Sequence, residues 1–312
     1  MQRKFLTYCL LFFLPVVAGF MAMEYLSLSL PTAIKANQEY IKRTNDKFET
    51  LILGSSQIQS AVNPEWLDSP TLNLASGDQH HDTDFKLLKD FEPKLHDLKT
   101  VIIEVSYSHF ELPHNGKDFW KNALYLKYYD VNCYERNTYF KDRLVYLSNP
   151  RFFSEKINEW YIKKNRVVKF NHHGFNTENY QGQFKMLDHD VEKIANMPRF
   201  KINTEPNLNI FAINTRLFYE MLDYLSEKEL VVILTKLPMY KTYHAKKNPG
   251  ILRRRDSVIA DVLQKYRNVK LLDLETDTVL FQVKDYWNQS HLNPGGAKKF
   301  TAWLNVLLKS PN

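Results

Sequence analysis

The stretch Phe48-Glu-Thr-Leu-Ile-Leu-Gly-Ser55 is the part of the sequence that decides the fold class. It is a short, continuous apolar run that ends in small residues, a pattern typical of a buried strand. Four further apolar runs follow it, at 71–75 (TLNLA), 100–105 (TVIIEV), 229–237 (ELVVILTKL) and 269–274 (VKLLDL). Strands without regular polar alternation are typical of parallel sheets that are buried on both faces.

Helical patterns lie between these predicted strands. Apolar residues recur at helical spacing in Asp82–Leu98, Ile251–Tyr266 and Gly295–Leu308. Strands that alternate with helices predict an α/β fold, with a parallel sheet as the central of three layers. Residues 108–210 are rich in Tyr, Phe, Trp, Asn and Lys and have weak periodicity. We interpret them as a long, partly helical insertion after the third strand, where it can shape a substrate cleft.

The composition excludes several classes of protein. The chain has 312 residues, of which 44% are hydrophobic, so it can bury a core and is not disordered. It has nine glycines and lacks the G-x-G-x-x-G and G-x-x-x-x-G-K-[ST] motifs of phosphate-binding loops. It also lacks C-x-x-C and H-E-x-x-H, the motifs of zinc ribbons, redox sites and zincins. We therefore expect no cofactor and no metal.

The amino terminus predicts a membrane anchor. Phe5–Met23 contains nineteen residues without a charge, close to the length that crosses a bilayer, and Arg3 and Lys4 precede it. The positive flank predicts that the amino end stays in the cytoplasm and that the rest of the chain is exported. A cleaved signal peptide is the rival interpretation, with small residues such as Ala18 near a processing site.

The predicted organisation has three parts: an anchor at 1–24, a polar, helix-compatible stalk at 25–47 and a globular domain at 48–312 on the extracytoplasmic side. Nucleic acid is not an expected partner of such an exported domain. Cys133 is the only cysteine beyond the anchor, so no disulfide can form within the exported domain, and we interpret Cys133 as a small buried apolar residue.

Two segments place a serine and a histidine at positions suited to chemistry. Ser56 follows the first strand directly in Leu53-Gly54-Ser55-Ser56, at the carboxyl end where parallel sheets bind ligands. His291 lies just before the last helix, in a segment where Asn293 can cap that helix and Pro294 suits its first position. A nucleophilic serine needs a base within hydrogen-bond distance, so the pair Ser56 and His291 predicts acyl-transfer chemistry.

These segments resemble the SGNH (GDSL-type) hydrolase superfamily. The G-D-S block of that family matches Gly54-Ser55-Ser56, and its D-x-x-H block matches Asn288-Gln-Ser-His291. The H-L-N-x-x-G-A pattern that follows is intact from His291 to Ala297. The resemblance is greatest to the membrane-anchored, exported subgroup with G-S-S in its first block. That subgroup includes the D-alanyl transfer protein of teichoic-acid modification and the alginate O-acetylation proteins.

The resemblance implies a flavodoxin-like fold and a role for each matched residue. Ser56 is the implied nucleophile, His291 the general base, and the Ser56 N–H one oxyanion donor. The second family block implies Gly77 as a further oxyanion donor, with Ser76 as the alternative. The implied partners are a cell-surface polysaccharide or acyl donor and a membrane-bound O-acyltransferase.

Two departures from the family pattern bear on catalysis. The G-x-N-D block is absent, and the matching strand continues as Glu104-Val-Ser106. The aspartate that orients the histidine is replaced by Asn288, with Asp285 as an alternative orienting residue. A serine esterase or acyltransferase acting on an envelope glycan and an inactive relative that binds a glycan or an acyltransferase therefore both stay open. A peptidase is disfavoured by the resemblance.

Other conspicuous residues have plain structural interpretations. The pairs His80-His81 and His172-His173 are interpreted as a solvated loop and helix cap, with a metal site as the alternative. The metal site is disfavoured because adjacent side chains in a strand do not readily face one ion. The basic runs 163–166 and 253–255 are interpreted as solvated faces. The alternative for these runs is contact with lipid headgroups or an anionic glycan.

Overall fold

Five of the apolar runs form one parallel β-sheet in the computed structural model of the chain, which describes residues 2–44, 47–116, 118–197 and 202–310. The strand order is β2-β1-β3-β4-β5, which is the flavodoxin-like, doubly wound order. The predicted α/β class with a parallel sheet is confirmed. The strands are β1 (Thr50–Leu53), β2 (Thr71–Asn73), β3 (Thr100–Glu104), β4 (Val231–Lys236) and β5 (Val269–Asp273).

Helices account for most of the other regular structure. They are α1 (Gln2–Ser29), α2 (Ala33–Thr44), α3 (Ser56–Ala61), α4 (His81–Phe91), α5 (Lys121–Leu124), α6 (Val145–Ser148), α7 (Pro150–Ile157), α8 (Gln183–Met186), α9 (Val191–Ala195), α10 (Leu208–Glu227), α11 (Lys241–His244), α12 (Pro249–Lys265) and α13 (Pro294–Lys309). A short antiparallel hairpin, β6 (Tyr286–Asn288) and β7 (His291–Leu292), precedes α13.

Both faces of the sheet are covered. On one face, strand residues such as Ile52, Ile102 and Ile233 join a cluster with Phe300 and Leu304 of α13. The strand residues that alternate with them are equally buried. Helix α10 contacts both β4 and α4. Because side chains of successive strand residues point to opposite faces, burial of both sets requires helices on both sides.

Two helices differ from the sequence-based expectation. The predicted helix 82–98 ends at Phe91 as α4, and Pro93 lies in a 3₁₀ turn that follows it. Proline cannot donate to the helical hydrogen-bond ladder, which explains the early end. Helix α10 had no counterpart in the sequence analysis. It is twenty residues long, begins at an Asn207 cap and buries Phe218 and Leu222.

The chain divides into two compact units, Met1–Lys35 with Lys117–Val168, and Ala36–Gly116 with Lys169–Asn312. The second unit contains the sheet, and the predicted insertion 108–210 is shared between the two units. In the first unit, the Glu24 carboxylate accepts the backbone N–H groups of Val145 (2.9 Å) and Tyr146 (2.7 Å) at the start of α6. This contact ties α6 to helix α1.

Helix α1 is long and apolar enough to span a membrane. It continues without interruption to Ser29, and α2 follows from Ala33. Most of the segment 25–47 that the sequence analysis assigned to a stalk is therefore helical where the structure describes it. Leu30 packs in an apolar cluster of the first unit with Val145 and Phe153.

Candidate active site

Ser56 is positioned by the sharp turn between β1 and α3. Gly54 has a φ of +138°, and a Cβ atom at this position would lie 2.6 Å from Glu104 Cβ, so only glycine fits the turn without strain. Ser55 caps α3 by accepting the N–H of Gln57 (3.2 Å) with its hydroxyl oxygen. Ser56 is the first residue of α3 and is half-buried at the carboxyl end of β1.

His291 meets Ser56 across the fold. Its Nε2 atom lies 2.9 Å from Ser56 Oγ, although the two residues are 235 positions apart in the chain. His291 is held by the β6–β7 hairpin and by the capped start of α13, where Asn293 Oδ1 accepts the N–H groups of Gly295 and Gly296. The predicted cap of the last helix is confirmed.

Asn288 occupies the other side of the His291 ring, with Oδ1 3.1 Å from Nδ1. The same Oδ1 accepts the backbone N–H of Ser290 at 2.9 Å, which identifies this atom as the amide oxygen and not the amide nitrogen. An acceptor that faces Nδ1 favours the tautomer with its proton on Nδ1. The lone pair of Nε2 is then free to accept the Ser56 proton.

A second polar group lies close to the same ring nitrogen. Ser290 Oγ is 3.0 Å from His291 Nδ1 and 3.3 Å from Asn288 Oδ1. A hydroxyl that donates to Asn288 Oδ1 presents its lone pairs to the Nδ1 proton, so this contact is compatible with the same tautomer. The Trp287 ring stands edge-on to His291, with 6.2 Å between the ring centroids.

Asp285, the alternative orienting residue, is engaged elsewhere. Its Oδ2 atom accepts the N–H of Gln282 and the ammonium of Lys299, each at 2.7 Å. Its backbone oxygen accepts the N–H of Asn293 at 2.9 Å. Among the described residues, Asn288 and Ser290 provide the side chains that contact His291 Nδ1. Asp285 instead braces the start of α13.

The serine–histidine pair lies in a partly desolvated setting. Burial lowers the pKa of His291 below its ordinary value, and the nearby Glu104 charge opposes this shift. His291 is therefore neutral at neutral pH and can act as a base. A neutral imidazole with an unprotonated Nε2 that faces a serine hydroxyl is the ground state from which a serine nucleophile is activated.

Glu104 is a site residue that the sequence analysis did not assign. It ends β3, is fully buried, and its Oε2 accepts the backbone N–H groups of Ser55 (2.8 Å) and Ile58 (3.3 Å). The Ser55 hydroxyl also donates to this carboxylate at 2.9 Å. The carboxylate therefore holds the backbone on both sides of Ser56. The sequence signal that could have identified Glu104 is a charged residue at the end of an otherwise apolar strand.

Neighbouring residues hold Glu104 in place. Ser106 Oγ donates to Glu104 Oε1 and also lies within hydrogen-bond distance of Gln57 Oε1. Rings of His81 and His109 contact the Glu104 backbone oxygen at 3.1 and 3.3 Å. Burial lowers the pKa of each histidine to about 3, so both are neutral and neither offsets the Glu104 charge.

The predicted oxyanion donors lie at the same edge of the sheet. The Ser56 N–H belongs to the first turn of α3, where backbone N–H groups have no acceptor within the helix. Ser76, the alternative second donor, directs its backbone N–H to Gly54 O at 3.0 Å. Gly77 follows in the turn after β2, and its role as the second donor stays a prediction.

Comparisons with known proteins show that the chain is similar to several solved structures. No protein-family model matches it, and neither does any curated protein. A Bacteroides thetaiotaomicron protein described as a GDSL-like lipase is similar at 9% identity and a TM-score of 0.41, over 88% of this chain and 98% of that chain.

Two further solved structures are similar over most of their length. One is a Bacteroides fragilis protein described as an acylhydrolase, at 10% identity and a TM-score of 0.40, over 88% of this chain and 96% of that chain. The other is a Streptococcus pneumoniae protein described as a platelet activating factor, at 8% identity and a TM-score of 0.39, over 87% of this chain and 92% of that chain.

Proposed function

We propose that this chain is a membrane-tethered serine O-acyl esterase or acyltransferase that modifies a cell-envelope polysaccharide. The observation that carries the proposal is the hydrogen-bonded series of Ser56 Oγ, the His291 ring and Asn288 Oδ1. His291 Nε2 lies 2.9 Å from Ser56 Oγ, and His291 Nδ1 lies 3.1 Å from Asn288 Oδ1. Ser56 and His291 are 235 positions apart in the chain. They approach each other because the β1–α3 turn and the β6–β7 hairpin meet.

The proposed reaction begins with attack of Ser56 Oγ on an ester carbonyl carbon. His291 Nε2 takes the serine proton as the C–O bond forms, and Asn288 Oδ1 holds the Nδ1 proton of the resulting imidazolium. The Ser56 N–H and, by prediction, the Gly77 N–H donate to the carbonyl oxygen as it becomes negative. Collapse breaks the ester C–O bond, and His291 returns the proton to the leaving alcohol.

The acyl group is then on Ser56 and passes to an acceptor by the reverse sequence. His291 removes a proton from water or from a sugar hydroxyl, the acceptor oxygen attacks the acyl carbon, and Ser56 leaves with its proton restored. Water gives an esterase and a sugar hydroxyl gives a transferase. The polysaccharide and the membrane-bound acyltransferase as partner are proposed from the resemblance of the two sequence segments to the SGNH superfamily.

The proposed location follows from helix α1. The helix is long enough to cross a bilayer once, and Arg3 and Lys4 at its amino end favour a cytoplasmic amino terminus. The sheet-containing unit, which follows α1 in the chain, would then lie on the extracytoplasmic side. An anchored enzyme in that position acts on substrates held at the membrane surface.

The replacement of aspartate by Asn288 favours a second candidate, a non-catalytic protein that binds a glycan or an acyltransferase. Fluorophosphonate labelling of the full chain in detergent distinguishes the two. We expect labelling of the native chain and its loss in Ser56→Ala and His291→Ala. Ser60→Ala is the matched control, because Ser60 lies one turn further along α3 and donates to Gln57 O. Absence of labelling in a folded native chain, or labelling that survives in Ser56→Ala, contradicts the catalytic proposal.

A further inference from the structure

A second group of potential ligands lies outside the serine–histidine site. Among the described residues, Glu65, His172 and His173 each offer a metal-ligand atom, and these atoms all lie within 4.8 Å of one another. Glu65 belongs to a 3₁₀ turn, Pro64–Trp66, that follows α3. The two histidines lie in a segment more than a hundred residues later in the chain. The proposed acyl-transfer chemistry uses none of the three.

The local backbone explains how adjacent histidines can face one point. Phe170 and Asn176 form an isolated antiparallel bridge, and the residues between them reverse the chain. Gly174 provides the turn with a φ of +75° and donates its N–H to Asn171 O at 3.0 Å. In an extended strand the two side chains would point to opposite faces, but in this turn the ring centroids are 4.0 Å apart.

Side-chain amides hold this turn against the Glu65 segment. Asn171 Oδ1 accepts the N–H groups of His173 (3.1 Å) and Phe175 (3.0 Å), while Asn171 Nδ2 donates to Asn63 Oδ1 at 2.9 Å. Asn63 is almost fully buried, and its Oδ1 also accepts the N–H of Glu65 at 3.3 Å. Both segments that supply ligands are therefore fixed by a shared hydrogen-bond network before any ion binds.

One of the three candidate ligands is buried with a ring nitrogen that has no hydrogen-bond partner among the described residues. This ligand is His173, and the nitrogen is its Nδ1. His172 Nδ1 lies 3.2 Å from Glu65 Oε1, and both side chains reach solvent. The Tyr40 ring packs edge-on against His173, with 4.2 Å between centroids, and closes one side of the group.

We propose that Glu65, His172 and His173 bind a divalent transition-metal ion of the zinc class. Two imidazole nitrogens and one carboxylate oxygen form a ligand set that suits Zn²⁺, with water in the remaining position. An ion bound there joins the turn 170–176 to the segment 63–66. We expect such an ion to stabilise the sheet-containing unit, because it binds ligands that are brought together only in the folded chain.

The test is metal binding to the untagged full chain in detergent, after removal of metals with a chelator. Zn²⁺ binding is measured by competition with a chromogenic chelator, and Co²⁺ serves as a visible-absorption probe that Zn²⁺ displaces. We expect one equivalent of Zn²⁺ to bind and to raise the melting temperature. His172→Ala and Glu65→Gln alter exposed side chains, and each should weaken Zn²⁺ binding by at least about tenfold.

The controls separate this site from non-specific binding and from the proposed enzyme activity. His96→Ala and Glu178→Gln remove exposed groups of the same chemistry and should leave Zn²⁺ affinity unchanged. Ser56→Ala should also bind Zn²⁺ as the native chain does, whether or not the chain is an esterase. The proposal is overturned if the native chain binds no Zn²⁺, or if His172→Ala and Glu65→Gln bind as tightly as the native chain.

Discussion

Asn288 Oδ1 lies 3.1 Å from His291 Nδ1 and is held in that orientation by the backbone N–H of Ser290. In serine proteases, exchange of the orienting aspartate for asparagine lowers turnover by about 10⁴, partly because the imidazole adopts the wrong tautomer. The Ser290 N–H fixes the amide oxygen toward the ring, so the tautomer component of that loss does not apply here. What the asparagine lacks is the negative charge that stabilises an imidazolium.

Asn288→Asp should therefore increase activity. A carboxylate would accept the same hydrogen bonds from Ser290 and His291, and its charge would stabilise the imidazolium formed during acylation. We expect kcat/KM for an aryl acetate ester to rise by roughly 10- to 100-fold, which is part of the full effect seen in serine proteases. Asn288→Ala, which removes the acceptor, should lower kcat/KM. If kcat/KM is the same in both variants as in the native chain, Asn288 has no role in orienting His291.

The pH dependence of activity should reflect the neutral form of His291. Because burial lowers the pKa of His291, its base form persists to pH values below the ordinary histidine pKa of 6.5. Activity should therefore fall only as the pH drops below about 6.5, when Nε2 becomes protonated. The measurement is kcat/KM against pH, and Asn288→Asp should move the acid limb to higher pH. An acid limb well above the ordinary histidine pKa would contradict the predicted state of the base.

Glu104→Gln should impair both stability and catalysis. The amide keeps one oxygen acceptor, but its NH₂ group cannot accept the hydrogen bonds that the second carboxylate oxygen receives from the β1–α3 turn. We expect a loss of about 2–3 kcal/mol in unfolding free energy. Displacement of Ser56 should lower kcat by roughly 10- to 100-fold with a smaller effect on KM.

Glu49→Gln is the matched control for Glu104→Gln. Glu49 precedes β1 and forms a surface ion pair with Lys99 at 3.1 Å, so its loss should change stability little. Equal effects of the two substitutions on kcat would show that Glu104 has no special role in positioning Ser56.

Acid should destabilise the sheet-containing unit through Glu275. Its carboxylate receives hydrogen bonds from Arg255 (2.7 and 2.8 Å) and Lys247 (2.7 Å), and all three side chains are buried. Burial by itself would raise the pKa of Glu275, but the hydrogen bonds and charges of Arg255 and Lys247 outweigh it and lower the pKa to about 2. The folded-state pKa is thus below the ordinary value of 4.5.

A lowered carboxyl pKa stabilises the fold above the unfolded-state pKa, and this contribution is lost as the pH falls from 4.5 to about 2. Glu275→Gln should destabilise the chain by about 3–5 kcal/mol at neutral pH, because it leaves buried cations unpaired. The difference in unfolding free energy between Glu275→Gln and the native chain should become smaller as the pH falls from 4.5 to about 2. Denaturant unfolding at a series of pH values measures this difference. Glu220→Gln is the control, because Glu220 forms an exposed ion pair with Arg216. If the difference in unfolding free energy between Glu275→Gln and the native chain does not change with pH, Glu275 is not the group responsible.

The strands were predictable because their signal is local. Runs such as 100–105 are apolar throughout, and β3 forms there from Thr100 to Glu104. Helix α10 also had a local signal, with Phe218, Met221, Leu222 and Leu225 on one buried face, but it adjoins a segment of weak periodicity and was not recognised. The hairpin of β6 and β7 is too short to leave a periodic pattern.

The sequence predicted three residues of the candidate site, but it did not predict the residue that holds the turn around Ser56. Ser56, His291 and Asn288 were identified from two short segments whose local pattern resembles a known superfamily. Glu104 was not, because its importance depends on hydrogen bonds to residues 46 and 49 positions away. Likewise, a turn between Phe170 and Asn176 places His172 and His173 beside each other, which a strand would not do.

The sequence by itself determined the α/β class and the five strands of the sheet, and it predicted the pair Ser56 and His291. Those properties follow from hydrophobic periodicity, helix-capping residues and short motifs, which act between neighbours in the chain. Only the tertiary structure decided which atom of Asn288 faces His291, that Asp285 is engaged by Lys299, and that Glu104 holds the turn before Ser56. These contacts join distant segments, and a hydrogen bond depends on differences of a few tenths of an ångström that only packing defines.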